Sequence, residues 1–318
     1  MKMLEGTKGN KKALFFSSNI GILLAFASLT ICGALLSPVF LTVENLQTIA
    51  VQTSISAVVA VGMTFVIISG RIDLSVGSIL AFSSMVAAMM IKAHIPWGFA
   101  VFAGLGVGVI LGLLNGLIIG YLNLDAFVAT LGTQGILRGL TLIICGGRPV
   151  YGMPSALRRL GTSYLGPIPS LFALALIVAV CGSLLLKHTR LGQYAYAVGG
   201  NERASRLSGV NVRATKVKLF IISGVLSAVA GIMLVARLGA AEPIAGIGYE
   251  LDAIAAAVLG GASLSGGEGR VWGTIIGALL ISALRNVLNL RGVQSYFQHV
   301  AIGAVIILAI TIDALRAK

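Results

Sequence analysis

The sequence predicts an all-α integral membrane protein of about ten transmembrane helices. Three observations predict it: 57% of the 318 residues are hydrophobic, only 10% are charged, and the apolar residues gather in runs of spanning length. A soluble domain carries about 25% charged residues, so lipid is the solvent that suits this composition. The mean hydropathy of +1.00 agrees.

A helix crossing roughly 30 Å of hydrocarbon needs about 20 mostly apolar residues. Ten segments answer that description, at approximately 20–40, 49–69, 73–91, 97–119, 126–145, 168–186, 216–236, 250–265, 271–290 and 296–313. The first follows a basic tail over 1–19 without a convincing small-residue cleavage site, which predicts a retained helix rather than a signal peptide. The eighth is short and glycine-rich, as expected of a broken or partly re-entrant helix. Glycines inside apolar runs, as in Gly104-Leu-Gly-Val-Gly108 and Gly112-Leu-Leu-Asn-Gly116, are expected to let helices pack closely. Cys32, Cys145 and Cys181 lie in or beside apolar segments with no metal or disulfide spacing, and are expected as small core residues.

Ten crossings place both termini on one side. With a cytoplasmic N-terminus, fifteen basic residues fall inside against seven outside, so both ends are expected in the cytoplasm. The loop carrying Arg148, Arg158 and Arg159 is the exception. The net charge of +13 therefore reads as topology; the cations punctuate the apolar runs and form no nucleic-acid patch. The chain reads as one transmembrane domain over 1–318. A first helical half covers about 49–145, a cytoplasmic loop about 187–215, and a second half about 216–313. The halves have opposite orientation, with Gly70-Arg-Ile-Asp-Leu-Ser75 faintly echoed by Gly248-Tyr-Glu-Leu-Asp-Ala253. An inverted repeat places a substrate path between its halves near the midplane.

No nucleotide-binding Gly-x-x-x-x-Gly-Lys-Ser/Thr loop is present, and no nucleophile pairs with a base inside a span, so no enzyme is expected. Gly266-Gly-Glu-Gly-Arg270 reads as a tight turn, since it lacks the phosphate-binding lysine. His94, His188 and His299 are widely separated and read as interfacial. In the hydrophilic loop, Asn201 is placed to cap a short amphipathic helix, Glu202 to meet its dipole, and Gly209 to stop it. Asp73 and Asp252 open helices, where a carboxylate is favoured. Arg138 falls within the fifth span and demands a buried partner or a water-lined surface.

Along nearly its whole length the chain resembles the ribose-type branch of ABC sugar permeases, relatives of the branched-chain amino acid permeases. The segments that carry the resemblance are Ile72-Asp-Leu-Ser-Val-Gly-Ser78, Ala126-Phe-Val-Ala-Thr-Leu-Gly132 with Arg138-Gly139, and His188-Thr-Arg-Leu-Gly192. They continue with Gly199-Gly-Asn-Glu202, Arg206-Leu-Ser-Gly-Val-Asn211, Gly248-Tyr-Glu-Leu-Asp-Ala-Ile254, Val258-Leu-Gly-Gly261 and Gly266-Gly-Glu-Gly-Arg270. Arg71 departs from the glycine common there, and Arg285 and Arg291 make their segment more basic than usual.

The resemblance implies an inner-membrane permease that moves a monosaccharide, ribose first, by alternating access. Its implied partners are a second permease chain, a cytoplasmic ATPase holding ATP and Mg, and a periplasmic sugar-binding protein. The permease itself binds no cofactor. The helix of Asn201, Glu202, Arg203, Ala204, Ser205, Arg206, Leu207, Ser208 and Gly209 resembles the family's ATPase-coupling helix. For the pathway a sugar asks for amides, hydroxyls and an aromatic face. Asn115, Phe127, Thr130, Gln134, Asn286 and Asn289 are candidates, and each could equally bond helix to helix. A branched-chain amino acid permease and an ion-coupled carrier are the alternatives. Carboxylates clustered at helix ends speak against the carrier.

Overall fold

The computed structural model describes residue 22 and residues 24–316. The tail over 1–19 lies outside them. Each of the ten apolar segments contains a helix. These are α1 (Leu24–Leu36), α2 (Val43–Ile68), α3 (Val76–Lys92), α4 (Trp97–Tyr121) and α5 (Ala126–Cys145), followed by α7 (Ser170–His188), α10 (Val212–Leu238), α11 (Tyr249–Leu259), α12 (Val271–Leu290) and α13 (Ser295–Arg316). Three shorter helices join them: α6 (Ser155–Thr162), α8 (Arg190–Gly200) and α9 (Glu202–Leu207). Among the described residues, six helices are long and apolar enough to cross a membrane: α2, α4, α5, α7, α10 and α12. The 147–167 loop contributes two minimal antiparallel pairings, Val150 and Tyr151 against Ala241 and Ala240, and Tyr164 and Leu165 against Pro169 and Ile168.

The core surrounds α2, whose most apolar window is 83% buried, against 17% for α5 and 22% for α7. Thr42 caps α2, and from Thr53 onward nearly every residue is enclosed by α7, α10, α11 and α12. Glycine makes the second major contact. Gly104, Gly108, Gly112 and Gly116 recur every fourth residue along α4 and form one buried stripe. A Cβ on Gly108 would strike Gly224 and Ala228, one on Gly112 Phe220, and one on Gly116 Val217, so α4 and α10 touch backbone to backbone as the small residues predict. Cysteine differs from expectation. Cys32 and Cys181 are exposed on the outside of the bundle and Cys145 is half-buried, so none is a core residue.

Helices α3 and α11 both begin in the body of the bundle. Asp73, ahead of α3, accepts from Ser223 Oγ at 2.8 Å, near the middle of α10. The buried backbone there is satisfied by side chains: Thr130 Oγ1 accepts from Leu74 N at 3.0 Å, and Asp73 Oδ1 from Ser75 N at 3.0 Å. The 11 residues of α11 rise about 16 Å, half the hydrocarbon thickness. Gly260 packs on Gly273 and Ala256 on Gly277, which fixes α11 antiparallel to α12. Ahead of α3 and α11, Gly70 (φ 74°) and Gly248 (φ 83°) turn the chain in the left-handed region. Gly77 of α3 lies against the carbonyl of Gly246, so the two helix entries meet.

Candidate functional site

The first candidate region is the α8–α10 segment. Asn201 caps α9 by accepting from Ala204 N at 2.9 Å, and Gly209 (φ 82°) ends it. Asn211 then caps α10 through Ala214 N at 3.0 Å. Glu202 is the hub. Its carboxylate meets Arg71 at 2.9 Å, Lys216 at 2.9 Å and, one helical turn on, Arg206 at 3.2 Å. Partial burial alone would raise its pKa, but the hydrogen bond from Lys216 and the charges of Lys216 and Arg71 outweigh burial and hold it below the usual range. One side chain thus joins the α2–α3 turn, α9 and the start of α10.

Of the nine residues assigned to this segment, Ser205 is buried and donates to the Asn201 carbonyl, while Glu202 is half-buried. Asn201, Arg203, Ala204, Arg206, Leu207, Ser208 and Gly209 are exposed, Leu207 at 83%. Beside them the 266–270 turn seats on the end of α2 through Gly267 N to Ile68 O at 2.8 Å, and Tyr196 Oη donates to Gly269 O at 2.8 Å. This is a packed turn, as expected.

The second region is a cavity of about 190 Å³ toward the opposite end of α12. Helix α2 contributes Gln52 and Ser56, α10 contributes Arg237, and α11 contributes Tyr249 and Asp252. The remainder comes from Ile281, Ser282, Arg285 and Asn289 of α12. Asp252, 3% exposed, pairs with Arg285 at 2.8 Å.

The predicted pathway residues separate into two groups. Asn115 is fully buried, donates to Ser75 Oγ at 2.8 Å and accepts from Thr133 at 2.7 Å, tying α4 to the start of α3 and to α5. Thr130 is buried beneath Leu74, and Asn286 exchanges two hydrogen bonds with Asn45 at 2.8 and 3.0 Å. These three join helix to helix. Phe127 is 52% exposed, Gln134 donates to Glu250 Oε1 at 3.2 Å, and only Asn289 lines the cavity. Arg138 finds its partner in the Ala245 carbonyl; its second terminal nitrogen and Glu250 Oε2 are buried without protein partners.

Sequence reasoning missed the cavity because its lining is spread over four helices. One signal was available: Asp252 and Arg285 are opposite charges in apolar segments, where a lone charge is costly, so each called for the other.

A bundle of apolar helices with two mid-bundle helix entries, a polar cavity and a clamped hydrophilic helix at one end marks a multi-pass membrane transport component. The branched-chain amino acid transport system / permease component family model matches residues 45–310, and the chain belongs to that family. It is 44% identical to the ribose import permease protein of Haemophilus influenzae over 88% of both chains, and 45% identical to that of Escherichia coli over 92% of both. It is 41% identical to the D-allose transport system permease protein of Escherichia coli, over 96% of this chain and 94% of the relative. No solved structure matches the chain.

Proposed function

We propose that this chain is the permease subunit of an ATP-binding-cassette importer that carries a monosaccharide, with ribose the first candidate, across the bacterial inner membrane. The observation that carries the reading is α9. It is a capped helix presenting Arg203, Arg206 and an 83%-exposed Leu207 outward while Glu202 clamps it to two other segments. Such a helix suits a groove on a soluble ATPase, which would hold the ATP and Mg, and the clamp would pass the ATPase's motion into the α2–α3 turn and α10. The relatives named for ribose and D-allose support a sugar as cargo. A second permease chain and a periplasmic binding protein complete the assembly.

The same reading has ten crossings, both termini cytoplasmic and two inverted halves. The paired mid-bundle entries of α3 and α11, each behind a left-handed glycine, with Asp73 just ahead of α3 and Asp252 in the first turn of α11, favour that symmetry. Glu250, buried with Oε2 lacking a protein partner, favours an ion-coupled carrier as the second reading.

Purification in mild detergent with mass spectrometry separates the two. An ATPase is expected to co-purify, and Arg203→Glu with Arg206→Glu is expected to release it while the chain still inserts. Sugar uptake into liposomes without ATP would favour the carrier instead.

A further inference from the structure

We infer that the cavity between α2, α10, α11 and α12 is a binding site for a single neutral monosaccharide, an assignment that rests on the sugar-importer reading. Its chemistry is that of a polyhydroxyl ligand. The Gln52 and Asn289 amides both donate and accept, the Ser56 and Ser282 hydroxyls do the same, Asp252 accepts and Arg285 donates. A sugar hydroxyl, at once donor and acceptor, meets a partner on every wall.

The charged lining residues are Asp252, Arg285 and Arg237. Asp252 and Arg285 pair at 2.8 Å, so a sugar can add hydrogen bonds to them and to Arg237 without breaking the pair, whereas the ammonium of a zwitterion would compete with Arg285 for Asp252. The apolar surface argues the same way. Ile281 is the one aliphatic lining residue and the Tyr249 ring the one aromatic, so a branched aliphatic side chain has no apolar wall to enter, while one face of a sugar ring can rest on a tyrosine.

Size and place agree. A volume of about 190 Å³ is below the roughly 300–1,000 Å³ of sites for drug-sized ligands and fits one sugar ring rather than an oligosaccharide. The cavity opens on the first turn of α11, the half-length helix, and discontinuous helices are where transporters build substrate sites.

Cysteine protection tests the assignment. Ser282→Cys, with Ser56→Cys as a second position, is placed in the assembled importer in membranes and labelled with a hydrophilic maleimide against the parent chain as background. Saturating D-ribose or D-allose is expected to slow labelling about tenfold, by the fraction of sites left empty, with L-leucine without effect. Protection by L-leucine alone overturns the assignment. So does labelling of neither position above background, or labelling that no sugar slows in an importer that carries one of those sugars; the sugar reading then stands. An importer that carries L-leucine and no sugar overturns both.

Discussion

At the α9 end a single carboxylate, Glu202, gathers Arg71, Arg206 and Lys216, whereas in the cavity Asp252 holds the guanidinium of Arg285. The first cluster is partly open to solvent: the side chains of Glu202 and Arg206 are 33% and 61% exposed, while Lys216 is 5% exposed. In the second the carboxylate is the enclosed partner, with the Asp252 side chain 4% exposed and that of Arg285 31%. Exposed pairs contribute little stability each, so a hub built from them can give way and re-form, which suits a joint between moving segments. An enclosed carboxylate is costly to leave without its cation and holds its geometry, which suits a wall that must present fixed polar groups. What differs is the carboxylate, 33% exposed and shared among three cations in the first and 4% exposed in the second, and that suits the first to a joint and the second to a template.

The largest effect expected from this contrast is at the template. Arg285→Leu withdraws the guanidinium from a carboxylate that water barely reaches, and should cost about 3–5 kcal/mol of stability. Asp252→Asn together with Arg285→Leu should recover most of that loss, because no charge is then left behind. Thermal unfolding of the purified chain measures both. A double variant no more stable than the single one would mean that the pair is not the unit of stability.

How much of this was legible beforehand follows from the range of the forces involved. Asn201, Glu202 and Gly209 act within one helical turn, so the capped α9 could be written from the sequence, and Asn201 does accept from Ala204 N. The α4 glycines were legible for a similar reason, since a four-residue repeat defines one helical face before any partner is known. The cavity was not, because Gln52 and Asn289 meet only through the packing of α2 and α12. Nor did residue type distinguish Asn286, locked to Asn45, from Asn289, which lines the cavity; both are amides in the same helix, three residues apart.

The joint should respond less. Glu202→Gln leaves the Lys216 ammonium, 5% exposed, without its carboxylate, and should cost about 1–2 kcal/mol once the exposure of Glu202 is discounted. Its functional effect should exceed its stability effect, with ATP hydrolysis proceeding while sugar uptake falls. Adding Lys216→Met should restore stability but not uptake. Parallel recovery of both would mean that the cluster only holds the fold.

Smaller still is the effect of Arg71→Gly. Glu202 keeps Lys216 and Arg206, so the loss should be about 0.3–1 kcal/mol and should shrink in high salt. Its value is as a probe of the joint, since Arg71 alone brings the α2–α3 turn to the hub. Uptake should become more sensitive to ionic strength in the parent chain than in the variant.

The smallest predicted signal is the pH dependence of the joint, and its sign follows from the depressed pKa of Glu202. A carboxyl whose folded value lies below its ordinary 4.5 stabilises the fold fully above pH 4.5. It loses that contribution as pH falls through the folded value, where the proton returns and the Lys216 and Arg71 attractions vanish. Glu202→Gln has no such proton to take up. The difference in melting temperature between the parent chain and this variant should therefore be flat above pH 4.5 and close toward acid. Other carboxyls titrate in both proteins and cancel in the difference. A gap that widened toward acid would mean that burial, not the three cations, governs Glu202, and the hub would then be a strained contact instead of a joint.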